Sequence, residues 1–135
     1  MKPKTEDYLQ AVERSLSKAR IVLGVDVFDQ AGRLAYYAMF HAAQALIFER
    51  TDRIPKTHKG VNRQFHRFVL HEPGLRPQFA ADLSKAYLLK ETADYETGAG
   101  ELSSRPEAEH AIVAAERFLI QIRETLSQPV PDPSE

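Results

Sequence analysis

Between Leu34 and Phe48 the chain is apolar on nearly every side of a helix, with only His41 and Gln44 interrupting the run. A helix with one apolar face lies on a surface, whereas one that is apolar all round has to be covered from several directions. The stretch is too short to span a bilayer, and no membrane association is expected. It predicts a central helix that packs within its own chain, or that faces both a core and a second subunit.

Amphipathic segments surround it. Tyr8, Val12, Leu16, Ala19 and Leu23 recur at helical spacing and predict a helix from about Thr5 to Leu23, with Thr5 as N-cap and Gly24 closing it. The central helix is expected over about Val27 to Arg50. Thr57 can cap a short helix from His58 to Leu70 whose inner side carries Val61, Phe65, Phe68 and Val69. Pro77 opens a fourth helix at a position where its missing N–H costs nothing, and this helix carries Phe79, Leu83, Ala86, Tyr87 and Ala93. Ser103 or Ser104 caps a fifth, with Pro106 and Glu107 in its first turn and Ala108, Ile112, Ala115, Leu119, Ile122 and Leu126 as its stripe. Strand-like alternation is nowhere sustained. The expected fold class is all-α, an antiparallel up-and-down bundle of four to five helices over residues 1–127. Thr97 to Gly100 reads as a flexible loop. Residues 128–135 contain three prolines and read as a disordered tail.

The 135 residues suit one domain. Lys and Arg number 18 against 19 Asp and Glu, for a net charge of -1, which disfavours a nucleic-acid binder that is cationic throughout and leaves room for a local basic patch. The absence of cysteine removes disulfides, thiolate metal sites and cysteine nucleophiles, and fits a reducing cytosol. The charged start, Met1 to Tyr8, is unlike a signal peptide, so a cytoplasmic protein is expected. The histidines have no zinc spacing, and Gly98 and Gly100 lack the strand–loop–helix context of a phosphate loop; neither a metal nor a cofactor is expected.

Two segments can carry chemistry. Arg33, Tyr37 and His41 are four residues apart and stack along one face of the most apolar helix. Such groups are costly there without partners. They mark a site that handles an anion or a proton, or else a wetter edge with a satisfied histidine. Near the end of the fourth helix, Lys90 and Asp94 share a face and Tyr95 follows; the alternative is a solvated helix end with a weak surface ion pair. Lys56, His58, Lys59, Arg63, His66 and Arg67 form a basic cluster that could track an RNA backbone or a nucleotide phosphate, or could be a solvated face. Tyr36 and Phe40 read as core or dimer contacts rather than as a base-stacking platform.

Taken together, Ala35-Tyr-Tyr-Ala-Met-Phe-His-Ala-Ala43, Pro55-Lys-Thr-His-Lys-Gly-Val61 and Leu89-Lys-Glu-Thr-Ala-Asp-Tyr-Glu96 resemble a small stand-alone branch of the HEPN domain family, over residues 5–127. The resemblance implies a helical bundle that forms a homodimer, encoded beside a minimal nucleotidyltransferase as one half of a toxin–antitoxin pair. It also implies an RNA or nucleotide ligand. Active members are metal-independent ribonucleases in which an Arg holds phosphate and a His moves a proton. Here Lys90 stands where that Arg is expected and no His follows it, with Asp94 near the place of the base. Lys binds phosphate as a point charge rather than a fork. Arg53 to His58 and Arg105 to His110 match the family spacing by count but lie at helix starts, outside the motif position.

The resemblance thus makes His41, Lys90 and Asp94 the candidate catalytic residues and Arg33, Tyr37 and Tyr95 the candidate ligand contacts. Three readings follow: the RNA- or nucleotide-associated binding half of a two-gene module, a metal-independent ribonuclease with its cleft at the dimer interface, or a structural dimer whose site has decayed.

Overall fold

The computed structural model describes residues 1–95 and 104–128, without the side chains of 89 and 92–95. Five helices follow one another: α1 (Pro3–Gly24), α2 (Phe28–Thr51), α3 (His58–His71), α4 (Pro77–Tyr95) and α5 (Arg105–Ser127). No strand occurs among the described residues. The expected loop at 97–100 and nearly all of the expected tail lie outside them.

α2 is the central element. Ala31, Ala38, Ala42, Ala43, Ala45, Leu46 and Ile47 are all 0% exposed. Small side chains let neighbouring helices approach closely, and they do so from three directions: α1 on one side, α5 on another, and α3 with α4 on the third. The all-round apolar character of α2 is therefore met within one chain and does not call for a second subunit to cover it.

Polar residues fix the order of the helices. Lys2 gives its backbone N–H to Glu49 Oε1 at 2.9 Å and its ammonium to the Glu49 carbonyl at 2.8 Å and to Asp52 at 2.7 Å. A cation thus sits at the C-terminal end of α2, where the helix dipole favours it, and the start of α1 is pinned to the end of α2. Arg20 pairs with Glu116 and Arg123 with Glu13, both at 3.1 Å, so α1 and α5 run antiparallel.

Two helix boundaries differ from the sequence expectation. α1 starts at Pro3 rather than after Thr5, because Pro3 takes the first helical position and Lys2 is extended. Thr5 is fully buried inside that first turn. α1 ends at Gly24, but Gly24 is not left-handed; the left-handed residue is Asp26, with φ 65°. Asp tolerates this conformation, and Arg105 holds the turn by bonding to the Asp26 carboxylate and to the Leu23 carbonyl.

The caps expected of Thr57 and Ser104 are present. Thr57 accepts from the Gly60 N–H at 2.9 Å and Ser104 from the Glu107 N–H at 3.3 Å.

Candidate functional site

Three elements bring aromatic and basic side chains to one rim of the bundle. α2 supplies Tyr36, Tyr37, Phe40 and His41, the first residue of α3 is His58, and α4 supplies Tyr87, Lys90 and Glu91. His58 is the centre. Its ring stacks on Phe40 at 4.2 Å with 10° between planes, meets Tyr37 edge-on at 6.0 Å, and lies 6.1 Å from Tyr87. The Tyr36 hydroxyl is 2.6 Å from His58 Nδ1.

Burial, with the neighbouring Tyr87, Tyr37 and Glu91, holds the Tyr36 hydroxyl well above the ordinary phenol range, so it keeps its proton. Nδ1 is the one partner that hydroxyl has among the described residues, so Tyr36 donates to Nδ1 and the hydrogen of the neutral His58 ring sits on Nε2. In His41 the arrangement is reversed. Its Nδ1 is 2.8 Å from Gln44 Oε1, an oxygen that can only accept, so Nδ1 carries a hydrogen and, in the neutral ring, the lone pair is on Nε2. The two imidazoles therefore differ: one offers a hydrogen and the other accepts one.

Desolvation pushes the His58 pKa down, and the Lys90 ammonium and His41 push it the same way, against an opposing pull from Glu91. Its position at the N-terminal end of α3 also disfavours an imidazolium. The sign for stability follows. The unfolded chain binds a proton at His58 more readily than the folded chain, so stability is lost as pH falls below the ordinary imidazole value of about 6.5. Urea unfolding is expected to show a smaller loss between about pH 7 and pH 5 for His58→Asn than for the wild type; equal losses would contradict the assignment.

The turn before His58 is built to hold it. A Cβ at Gly60 would lie 2.9 Å from Pro55 Cβ and 3.0 Å from Thr57 Oγ1, a rigid ring on one side and the cap on the other. Gly→Ala inside a helix normally gains about 1 kcal/mol. Here Gly60→Ala is expected instead to lose about 1 kcal/mol in urea denaturation and to displace the His58 ring resonances.

The candidates from the sequence are distributed as follows. Tyr37, His41 and Lys90 converge with His58; the Tyr37 and His41 ring centres are 6.3 Å apart and Lys90 Nζ is 5.9 Å from the Tyr37 ring. Arg33 lies one turn earlier on α2, where its Nη1 is 3.4 Å from Gln30 Oε1. It lines an adjoining cleft of about 470 Å³ between α2, α4 and α5, and Lys90 lines that cleft too. The side chains of Asp94 and Tyr95 lie outside the described residues. Of the two count matches, Arg105 is engaged by Asp26 and by Glu109 at 3.5 Å, a structural clamp, whereas His58 belongs to the rim and Arg53 is exposed.

Spacing places His58 among the surface cations, whereas the structure half-buries it at the centre of the rim; Tyr36 lies in the core as expected, 1% exposed, with its hydroxyl on His58. The signal was the Pro55-Lys-Thr-His58 segment, in which a Pro-led turn and a Thr cap aim the first helical side chain inward. Among the described residues no group of three His, Asp or Glu side chains could hold a metal ion. No described helix is long and apolar enough to cross a membrane.

A family model for the HEPN domain matches residues 5–124. The chain belongs to the HEPN family. The match covers all five helices of this HEPN domain but the first two residues of α1 and the last three of α5. A Methanocaldococcus jannaschii protein named "Putative toxin MJ0605" is 32% identical over 120 residues, 89% of this chain and 87% of the relative. The Gloeobacter violaceus "UPF0332 protein glr0978" is 30% identical over 128 residues, 95% of this chain and 100% of the relative. A third relative, a UPF0332 protein of Archaeoglobus fulgidus, is 31% identical over 87 residues, 64% of this chain and 68% of the relative.

Proposed function

We propose that this HEPN chain is the RNA- or nucleotide-associated binding half of a two-gene module, partnered by a minimal nucleotidyltransferase, and that it holds a phosphate group at the rim formed by His41, His58 and Lys90. The observation that carries this is the Tyr36–His58 hydrogen bond. It directs an imidazole N–H outward beside an ammonium group, and the His41 lone pair can take a ligand hydroxyl. Neutral imidazole, ammonium and flat aromatic rings together suit a phosphate attached to a base. The relative named as a toxin supports a module of this kind. Arg33 and Tyr95 stay in the proposal as ligand contacts, and Asp94, on the same helix end as Lys90, as a candidate base.

The homodimer remains part of this reading, on the family's habit rather than on the apolar surface of α2. Ile21, Val113 and Ile120 are exposed around the Arg20–Glu116 pair and supply apolar area outside the chain's own core.

A second reading, a metal-independent ribonuclease, is favoured by one observation: a hydroxyl faces Nδ1 of His58 and an amide oxygen faces Nδ1 of His41, contacts that call for opposite hydrogen placement in the two neutral rings, as a base and a proton donor require.

Calorimetric titration with a nucleoside monophosphate tests the first reading. Binding is expected to weaken at least about tenfold in Lys90→Ala and in His58→Ala, the scale of one lost charge-assisted contact. Affinity unchanged in both variants would overturn it.

A further inference from the structure

α3 has a second feature on the side away from the core. Residues 53–71 hold Arg53, Lys56, Lys59, Arg63 and Arg67 and no Asp or Glu. The net charge of the whole chain is -1, so the rest of the molecule is acidic. All five cations are exposed, and none pairs with a carboxylate among the described residues.

Lys59, Arg63 and Arg67 recur every fourth residue, about 6 Å apart along the axis, opposite the buried Val61, Phe65 and Val69. This spacing costs the helix stability. Like charges four apart repel, and Lys59 sits in the first turn, where the dipole disfavours a cation and no acidic residue offsets it. A row of cations kept against local helix preference, on a chain otherwise acidic, calls for a polyanion. The row begins beside His58. The one large apolar residue exposed on α3 is Leu70, at the far end, whereas a protein partner would need an apolar centre.

We propose that the outer face of α3 is a track for a single strand of RNA, its phosphates held in single file by Lys59, Arg63 and Arg67, so that the strand reaches the rim at His58. The track rests on the reading of that rim as a phosphate site, and it adds the direction in which a longer ligand leaves it.

The test is the triple variant Lys59→Gln/Arg63→Gln/Arg67→Gln, all exposed positions, with thermal unfolding as the check that it folds. Affinity for a short oligoribonucleotide is measured against salt, beside affinity for a nucleoside monophosphate. The oligonucleotide is expected to bind at least about tenfold more weakly, with the salt slope reduced by about 2, the value for three contacts to a single strand. Monophosphate affinity is expected to stay unchanged. Unchanged oligonucleotide affinity and slope would overturn the track while leaving the rim intact. Loss of monophosphate binding as well would overturn it as a separate surface. Displacement of the oligonucleotide by polyglutamate at equal charge would overturn RNA in favour of an acidic protein. Oligonucleotide binding through α3 with no monophosphate binding would keep the track and remove the rim reading.

Discussion

Arg50→Ala is expected to lower the unfolding free energy by about 3–5 kcal/mol, with a fall in Tm on the order of 10 °C. Arg50, in the last turn of α2, has its Nε 2.7 Å from Glu72 Oε1, and both side chains are 7% exposed. Its Nη2 reaches the Thr125 carbonyl at 3.1 Å and the Gln128 carbonyl at 3.4 Å. One guanidinium thus ties the ends of α2, α3 and α5, and adds a donor to two carbonyls at the end of α5. Truncating it leaves the nearly buried Glu72 carboxylate without its charge partner. The double replacement Arg50→Met/Glu72→Leu is expected to cost far less than the single one, because it removes both charges. Thermal and urea unfolding of the three proteins check this. A single variant within about 1 kcal/mol of the wild type would contradict it.

The second large effect falls on chemistry. RNA cleavage in EDTA is expected to drop by about 10²–10⁴ in His58→Ala, the usual contribution of a positioned acid–base group. His41→Ala should fall in the same range and Arg105→Ala should leave cleavage unchanged, since Arg105 serves the Asp26 turn. Cleavage that persists in His58→Ala would assign it to another site or to a contaminant. A wild-type chain that leaves RNA intact while holding a monophosphate would remove the nuclease reading and keep the binding one.

The bundle was legible because helical periodicity is a local property. The stripe of α5, the Thr57 and Ser104 caps and Pro77 at the start of α4 all lie where residue spacing puts them. What failed was tied to competition at single positions. Pro3 outranks Thr5 for the start of α1, and Asp26 takes the left-handed turn offered to Gly24. The rim was half legible. Tyr37, His41 and Lys90 stood out as polar residues at helical spacing. His58 did not, because its role depends on α3 docking its first residue against Phe40 and Tyr36, more than fifteen residues away in sequence. Spacing also marks Arg33 as a companion of His41; Arg33 lines the cleft between α2, α4 and α5, which Tyr36 and Lys90 line as well. A stripe four residues apart drifts around the helix, and only packing decides which members face one site.

The rim's capacity to hold phosphate is read most directly from the imidazole nitrogens of the ¹⁵N-labelled protein during titration with a nucleoside monophosphate. Before ligand, His58 is expected to be neutral near pH 7 with its hydrogen on Nε2, and His41 to carry its hydrogen on Nδ1. On titration both sets of nitrogen resonances should move together and saturate, and Lys90→Ala should weaken that saturation. Resonances of His41 and His58 that stay fixed, while His66, His71 or His110 respond, would contradict the account.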